Sequence, residues 1–461
     1  MVAVKKEPVV VPLKLLIDEK NNRVLAAEAN KDFVEILFSF LTFPMGTIIR
    51  LITSAKDEPT ASVTIGCMNK LYTGIQNLSS EYWQTEYCKN MLLNPRNHLA
   101  QYCKKLKINI DDSGSELSYA CNYQGCPYHS MYRNVRCLCG RGMTTQEKPS
   151  VDSSSSSNQG AAFLTGGIEF LISDDLQVRP ASPAVFAELI PDLGSGDCSA
   201  MPIREMHLDV SKAQLICLLA CALVSESPLS DVFLAKRQAG SGIAGIQMKQ
   251  LKLGTTFSSS PAAVQVNQNG PNMKLKVTCV KSSKEILFGE ATDEFFDFLC
   301  TFLTTPIGSM ISVLEGKSGL TCMDNLYKSV VYLDHKWFWL SKKDLLNPGI
   351  AKHHNCKTQP LISISPSSYS SSSYLINPRG RDNFSVEPSA FLVPDDLDVK
   401  PLSGASSFLL LKGLGIPFSQ TEVQWVTVGT KEALSLLKAA LTSPSSALTN
   451  GLGPFLQKHT P

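Results

Sequence analysis

The stretch RVLAAEANKDFVEILFSFLTFPMG, residues 23–46, is the most informative part of the sequence because it occurs twice in the chain. It returns at residues 285–308 as EILFGEATDEFFDFLCTFLTTPIG, where Phe33 aligns with Phe295. Each copy joins an apolar segment of strand-like composition to a segment whose apolar residues recur at helical spacing. A repeat of this length predicts two copies of one structural unit.

Further blocks repeat in the same order. They are CMNKLY at 67–72 with CMDNLY at 322–327, LLNP at 92–95 with LLNP at 345–348, FLISDDLQVRP at 170–180 with FLVPDDLDVKP at 391–401, and VSKAQLICLLACALVS at 210–225 with VGTKEALSLLKAALTS at 428–443. We therefore interpret the chain as a tandem duplication, with modules at 1–235 and 273–461. Residues 236–272 are rich in Gly, Gln, Ser and Asn and are predicted to form a linker. Ser runs at 151–160 and 363–374 predict matching loops.

The beginning of each module predicts a hairpin followed by a helix. Residues 14–18 and 23–29 flank the turn-forming segment EKNN, which is typical of a β-hairpin. From residue 33 to 41, apolar residues recur at i, i+3, i+4, i+7 and i+8, which predicts one buried helical stripe. Asn30 and, in the second module, Thr292 are predicted N-caps of this helix.

The later part of the module completes the fold class. Pro44 and Pro306 are expected to end the first helix of each module and to begin the next one. Strands are predicted around 168–172 and 204–210, followed by an amphipathic helix at 211–224. The sequence therefore predicts an α+β fold, built twice.

Charge and composition narrow the classes of partner. The 461 residues include 43 Lys and Arg against 41 Asp and Glu, so a net charge of +2 gives no general attraction to nucleic acid or anionic membranes. The N-terminus lacks a signal-peptide core, and the longest apolar run, 36–49, is too short to span a bilayer. We expect a cytoplasmic or nuclear protein without a membrane partner, whose fourteen cysteines are reduced.

A cysteine cluster is the clearest chemical signal. The segment CNYQGCPYHSMYRNVRCLCG has the spacing C-x4-C-x10-C-x-C, close to that of a four-thiolate zinc site. The predicted zinc ligands are Cys121, Cys126, Cys137 and Cys139. An extended backbone at 137–139 would direct both sulfurs to one side, and backbone N–H groups near Gly140 and Gly142 are expected to bond to thiolates.

The predicted finger, about 111–149, has few large aliphatic residues, chiefly Leu117, Val135 and Leu138. Such a segment needs a structural metal to become ordered. Two alternatives stay open: four unrelated reduced cysteines in a loop, or His129 in place of one ligand. Catalytic zinc is disfavoured because four protein ligands leave no open position.

The second module lacks this ligand set. Between its LLNP and FLVPDD blocks it retains only Cys356, with His353 and His354 nearby. We therefore interpret the finger as a zinc-ribbon-like insert in the first module.

Other candidates have simpler explanations. The glycine pattern at 240–245 lies in the linker, without the strand and helix that dinucleotide binding requires. Adjacent carboxylates at Asp174–Asp175, and again at 395–396, favour turns between strands. Glu28 and Glu290 are expected to accept backbone N–H bonds at the start of a helix. Aromatic groups at 82–83 and 337–339 fit either base stacking or packing.

The repeated blocks resemble the plant family known as domain of unknown function 674. The resemblance rests on VLAAEANKDFVEILFSFLTFPMGT, LYTGIQNL, MLLNPRN, RCLCGRGM, FLISDDLQVRP and VTVGTKEALSLLKAALTSPSSALTNGL, which together extend over almost the whole chain. It implies a plant-restricted cytosolic or nuclear protein with duplicated halves and no assigned activity. The four cysteines resemble the CxCG-type finger of that family.

Three functional hypotheses follow. The first is a non-enzymatic scaffold or interaction protein with a structural, zinc-stabilised finger and protein partners. The second is a nucleic-acid-binding protein that uses Arg133, Arg136, Arg141 and Lys148 of the finger, a local charge of +3 once Glu147 is counted. The third, an enzyme with a site between the modules, rests only on the frequency of ligand clefts at domain interfaces.

Overall fold

The computed structural model describes residues 9–54, 63–111, 118–147, 162–189, 202–234, 271–361 and 374–457. Almost all of the predicted linker, the Ser runs apart from Tyr374, and the glycine pattern at 240–245 lie outside these residues. The described chain contains helices and antiparallel sheets, so the predicted α+β class is confirmed.

The strands and helices follow the order of the sequence blocks. The strands are β1 (Val11–Asp18), β2 (Arg23–Ala29), β3 (Ser118–Cys121), β4 (His129–Ser130), β5 (Met143–Glu147), β6 (Phe170–Ser173), β7 (Val178–Pro180), β8 (Ile203–Val210), β9 (Met273–Val280), β10 (Ile286–Thr292), β11 (Ala390–Pro394), β12 (Lys400–Pro401) and β13 (Thr421–Val428). The helices are α1 (Lys31–Phe40), α2 (Met45–Ser54), α3 (Met68–Asn77), α4 (Glu86–Leu93), α5 (Ala100–Cys103), α6 (Pro183–Leu189), α7 (Lys212–Val224), α8 (Pro228–Phe233), α9 (Asp293–Thr304), α10 (Ile307–Val313), α11 (Thr321–Tyr332), α12 (Lys342–Leu346), α13 (Gly404–Leu414), α14 (Thr430–Thr442) and α15 (Ala447–Leu452).

The predicted hairpin and helix are both present. Strands β1 and β2 pair antiparallel, and α1 follows directly. The side chain of Asn30 accepts hydrogen bonds from the N–H groups of Asp32 and Phe33, as predicted for an N-cap. Thr292 occupies the predicted N-cap position of α9, but its side chain makes no capping bond. The N–H of Asp293, in the first turn of α9, instead donates to a loop carbonyl oxygen, that of residue 389.

Two five-stranded sheets have the same arrangement. The first has the order β7-β6-β2-β1-β8 and the second the order β12-β11-β10-β9-β13, with antiparallel pairs throughout. In each, a hairpin lies at the centre and the strand that precedes the last long helix lies at one edge. The predicted strands near 168–172 and 204–210 correspond to β6 and β8.

Two helices contact the opposite half of the chain at equivalent positions. The thiol of Cys67, at the start of α3, donates a hydrogen bond to the carbonyl oxygen of Ser443 (2.9 Å). The thiol of Cys322, in α11, donates in the same way to the carbonyl oxygen of Ser225 (3.0 Å). Ser443 and Ser225 are the C-caps of α14 and α7. The halves therefore pack into one continuous core rather than side by side.

The aromatic groups also join the halves. The backbone of Trp83 forms an antiparallel bridge with Ser385, and that of Phe338 forms one with Leu164. The ring of Trp83 packs on Phe296, with 5.8 Å between ring centroids. Packing between the halves, rather than exposure for base stacking, therefore accounts for both groups.

A buried carboxylate holds each of these crossing segments. Oε1 of Glu35, in α1, accepts the three backbone N–H groups of residues 162–164 at 3.0, 2.7 and 2.7 Å. Asp297, in α9, accepts the N–H of Phe384 at Oδ2 (2.7 Å), and the N–H (3.0 Å) and hydroxyl (2.7 Å) of Ser385 at Oδ1. Glu35 and Asp297 are 3% and 2% exposed, so these N–H groups would otherwise be buried without a partner.

Asp297 makes stability depend on pH. Burial raises the pKa of its carboxyl to about 6, whereas an unfolded aspartate has a pKa of about 3.9. The contribution of this group is therefore fully present below about pH 4 and is lost as the pH rises through 6, a change of about 3 kcal/mol. We expect the difference in the free energy of unfolding between the wild type and Asp297→Asn to change by this amount between about pH 3 and pH 7, and by about 2 kcal/mol between pH 4 and pH 6, measured by urea unfolding. Parallel pH profiles of the two proteins would contradict this expectation.

Candidate metal centre

The predicted finger is a small sheet of three strands. Strand β3 lies between β4 and β5, and its pairing with β5 shifts between Ala120 and Cys121. Cys121 ends β3, and Cys126 lies in the loop that leads to β4. The segment that contains the other two cysteines precedes β5. Two loops thus bring two cysteines each to the same site.

The four sulfur atoms converge as predicted. The Sγ atoms of Cys121 and Cys139 are 3.3 Å apart, and those of Cys126 and Cys137 are 3.6 Å apart. All four lie within 4.8 Å of one another, and none of these cysteines forms a disulfide. Zinc–sulfur bonds of 2.3 Å in a tetrahedron separate the sulfurs by about 3.8 Å. His129 is not a member of this group.

A turn of the backbone holds Cys137 and Cys139 in the site. The N–H of Gly140 donates to the carbonyl oxygen of Cys137 (2.9 Å), and the N–H of Cys137 donates to that of Arg141 (2.8 Å). The prediction of an extended backbone at 137–139 was therefore wrong, because these bonds close a tight turn. Gly140 has a φ of 82°, in the left-handed region that glycine adopts without strain.

Backbone N–H groups stabilise the thiolates. The N–H of Arg141 lowers the pKa of the Cys139 thiol to about 7, and the N–H of Tyr123 donates to the sulfur of Cys121 (3.5 Å). Burial raises the pKa of Cys137 to about 12. Metal binding requires all four sulfurs to be deprotonated, and four adjacent negative charges need a cation between them. The donor set and spacing fit a tetrahedral divalent metal with sulfur ligands.

The finger has almost no core of its own. Its buried apolar side chains are those of Cys121, Val135, Cys137 and Met143, so half of them belong to the cysteine group. Leu138, one of the few large aliphatic residues of the predicted finger, is 74% exposed. It lies at the outside of the 137–140 turn. Leu117 lies outside the described residues. So small a core cannot order a segment of this length by burial alone.

The finger also connects the two halves of the chain. The N–H of His129 donates to the carbonyl oxygen of Tyr374 (3.1 Å), and the N–H of Ile376 donates to that of His129 (2.9 Å). On the other side, the hydroxyl of Tyr87, in α4, donates to the carbonyl oxygen of Arg133 (2.9 Å). The finger is thus held between a first-half helix and a second-half segment.

One surface of the finger is left open. Tyr123 and Leu138 are exposed, and the guanidinium of Arg141 lies over the Tyr123 ring at 5.0 Å. Arg133 and Arg136 are exposed as well. We call Tyr123, Arg136, Leu138 and Arg141 the finger tip. Lys148, included in the predicted basic set, lies outside the described residues.

The second half has no equivalent site among the described residues. The thiol of Cys356 donates to the carbonyl oxygen of Thr358 (3.2 Å), and His354 is buried. The only described group of this kind is the four-cysteine cluster of the finger.

Comparison with known proteins identifies the family. The profile described as Protein of unknown function (DUF674) matches residues 7–431. The chain belongs to this family. Neither the curated proteins nor the solved structures provide a match to it. In the described part of this DUF674 protein, no helix has both the length and the apolar character needed to cross a bilayer.

Glu28 and Glu290 of this DUF674 protein accept no backbone N–H bond from the described residues. Glu28 lies opposite Lys14 in the β1–β2 register and pairs with it at 3.1 Å. Glu290 and Lys276 form the same cross-strand pair at 3.0 Å. The prediction was wrong because the lysines are closer partners. Glu35 and its counterpart in α9 accept backbone N–H groups instead, from the crossing segments and not from a helix start. Their alignment as acidic residues in an apolar helix was the signal.

The aspartate pairs form turns, as predicted, and each turn also anchors a helix. The carboxylate of Asp174 accepts the N–H (2.9 Å) and the hydroxyl (2.7 Å) of Ser230, in α8. That of Asp395 accepts the N–H and the hydroxyl of Thr449, in α15, both at 2.8 Å.

Surface depressions lie beside Asp297 and beside the N-terminus of α1, and neither is lined by Glu28 or Asp174.

Proposed function

We propose that this DUF674 protein is a non-enzymatic interaction protein whose finger is stabilised by a structural zinc ion. The proposed ligands are Cys121, Cys126, Cys137 and Cys139. The convergence of four sulfur atoms within 4.8 Å, in a segment with almost no other core, carries the proposal. Zinc is the metal that four thiolates in a tetrahedron favour.

The ion would be structural rather than catalytic. Four protein ligands complete its coordination and leave no position for water or substrate. Its contribution would be to fold a zinc-ribbon-like insert and to hold it against residues 374–376 of the second half. Reduced thiols are needed for this role, which favours a cytoplasmic or nuclear location.

A duplicated scaffold is part of the proposal. The identical strand orders of the two large sheets support a tandem duplication of one α+β module. The reciprocal contacts of Cys67 and Cys322 support it as well, because they join equivalent positions of the two copies. The finger would then be an insert in the first copy alone.

The finger tip has the composition of a protein-binding surface. Leu138 supplies an exposed apolar side chain, and Tyr123 and Arg141 form a stacked pair beside it. Tyrosine and arginine are enriched among the side chains that contribute most to protein–protein affinity. The net charge of the whole chain gives no competing attraction to polyanions.

A second candidate is nucleic-acid binding through the finger. It is supported by the exposure of Arg133, Arg136 and Arg141 and by the aromatic ring beneath Arg141. Nucleic-acid binding is the weaker candidate, because zinc with four thiolates has a formal charge of −2 and offsets much of the local positive charge.

Affinity capture with purified full-length protein tests the first candidate. Leu138→Asp keeps all four sulfur ligands, and it is expected to reduce capture of a specific protein at least about tenfold, as for an apolar anchor at an interface. The matched control is Tyr332→Asp, an equally drastic change at an exposed position of α11. Equal capture by the wild type and Leu138→Asp would count against the finger tip as the protein-binding surface.

The second candidate predicts a different result. Binding to short RNA or DNA should fall steeply as salt is added and should disappear when Arg133, Arg136 and Arg141 are all replaced with alanine. Absence of binding at low salt eliminates nucleic acid as the partner and leaves the protein-binding proposal in place.

A further inference from the structure

The outer face of the second large sheet exposes apolar side chains. Trp425, in β13, is 66% exposed, and Val423 on the same face of that strand is also exposed. Phe418 precedes the strand and stacks on Phe408 of α13, with ring centroids 6.1 Å apart. Together with Leu409 and Leu414 they form what we call the β13 patch. The cross-strand neighbour of Trp425 is Lys276, which pairs with Glu290, so the face is apolar at its β13 edge and on α13 rather than without interruption. Large exposed apolar groups of this kind mark interaction sites on many proteins.

Helix α13 has apolar residues on every side of its central turn, 408–411, next to Ser407 and Lys412. Its sequence is GASSFLLLKGL, yet Leu411 is its only fully buried residue, packed on Phe288 and Leu392 of the sheet. A helix with apolar residues on every side is normally covered on every side. One side of α13 lies on the sheet, so a second surface is needed for the other.

Strand β13 also has an open edge. Within the described part of the chain it pairs only with β9, so alternate backbone N–H and C=O groups point away from the sheet. Natural edge strands are protected by charged residues, prolines or bulges. The strand TEVQWVTV has one charged residue, Glu422, and this carboxylate is already paired with Lys284.

The equivalent strand of the first half is protected. Strand β8 has the sequence IREMHLDV and lies at the same edge of its own sheet. By the alignment of the two halves, Glu205 and His207 occupy the positions of Val423 and Trp425. The scaffold is the same, so the apolar edge is a property of the second half and not of the fold.

We propose that two copies of this chain associate through the β13 patch, with their β13 strands paired antiparallel about a two-fold axis. A strand supplies the backbone partners that the open edge lacks. In such a pair, the side chains on one face of β13 lie opposite the side chains on the same face of the partner strand. Val423 and Trp425 therefore meet apolar side chains of the second copy. The near absence of free charge on β13 removes the repulsion that would oppose self-association.

The size of the patch agrees with a dimer. Its six side chains are each about half exposed or more, which amounts to an accessible area of several hundred Å². A standard protein interface buries about 800 Å² on each partner, and the strand backbone adds to the side-chain area. Neither the proposed metal nor the finger tip is part of this surface.

Sedimentation equilibrium of the full-length protein tests the dimer. The double variant Val423→Glu, Trp425→His places the residues of β8 on β13 and should raise the dimer dissociation constant about 100-fold, as for loss of a central tryptophan anchor. Phe418→Asp changes a residue outside the strand and should also weaken the dimer. It serves as the test if the double variant fails to fold. His207→Ala in β8 is the control and should leave the dissociation constant unchanged.

Two results would overturn the proposal. One is a wild-type chain that stays monomeric up to its solubility limit, as expected if another segment of the same chain covers the patch. The other is a dimer whose dissociation constant is the same in the wild type, the double variant and Phe418→Asp, because association would then use a different surface.

Discussion

Replacing Cys137 with serine is expected to release the metal and to unfold the finger, residues 118–147. A structural zinc site contributes on the order of 10 kcal/mol to a segment that cannot fold without it. The serine hydroxyl is a poor replacement for a thiolate, and the remaining core of the finger is too small to compensate. The effect should extend to residues 374–376, whose backbone pairs with His129.

Three measurements on the same protein check this result. Metal analysis should find about one zinc ion per wild-type chain and less in Cys137→Ser. Limited proteolysis should cut the variant within the finger, and the amides of His129 and Ile376 should exchange faster with solvent. Cys221→Ser, a cysteine of α7 outside the cluster, is the control. Unchanged metal content in Cys137→Ser would exclude Cys137 as a ligand.

Glu35→Leu is expected to lower the free energy of unfolding by about 3–5 kcal/mol, because it leaves three buried N–H groups without an acceptor. The affected segment, 162–164, pairs with the aromatic group at 337–339, so the contact between the halves weakens as well. Urea unfolding measures the loss.

Glu35→Gln separates hydrogen bonding from charge. All three N–H groups donate to Oε1 alone, and glutamine retains this oxygen, so we expect stability within about 1 kcal/mol of the wild type. Burial already raises the pKa of Glu35, which means that the buried charge itself adds no stability. Equal stability of the leucine and glutamine variants would refute the anchoring role.

Local patterns predicted several elements of the fold correctly. The hairpin, α1, the capping role of Asn30 and the position of helix α7 follow from residue spacing within short windows. Helix α7 was expected to be amphipathic, but it is buried on most of its sides. The repeat added the expectation of equivalent elements in the second half, and β9, β10 and α9 occupy the corresponding places.

The contacts between the halves could not be predicted in this way. Cys67 and Ser443 are distant in sequence, and no periodic pattern indicates which half a helix will pack against. Glu35 was visible as an acidic residue in an apolar stripe, but its three acceptor contacts depend on a loop that follows α1 by more than one hundred residues. Only the folded chain brings that loop to the helix.

Residue spacing predicted which cysteines come together, but it did not predict the local backbone geometry of the site. Spacing and the shortage of core residues identified Cys121, Cys126, Cys137 and Cys139. The turn that places Leu138 on the surface depends on backbone hydrogen bonds between residues 137 and 141, which side-chain patterns do not specify. The exposed finger tip is a consequence of this turn.

X-ray absorption at the zinc edge of the purified full-length protein reports on the cysteine site without any substitution. We expect one zinc ion per chain, surrounded by four sulfur atoms at about 2.3 Å. Protein purified without bound metal, or a first shell of nitrogen and oxygen atoms around any zinc present, would contradict it.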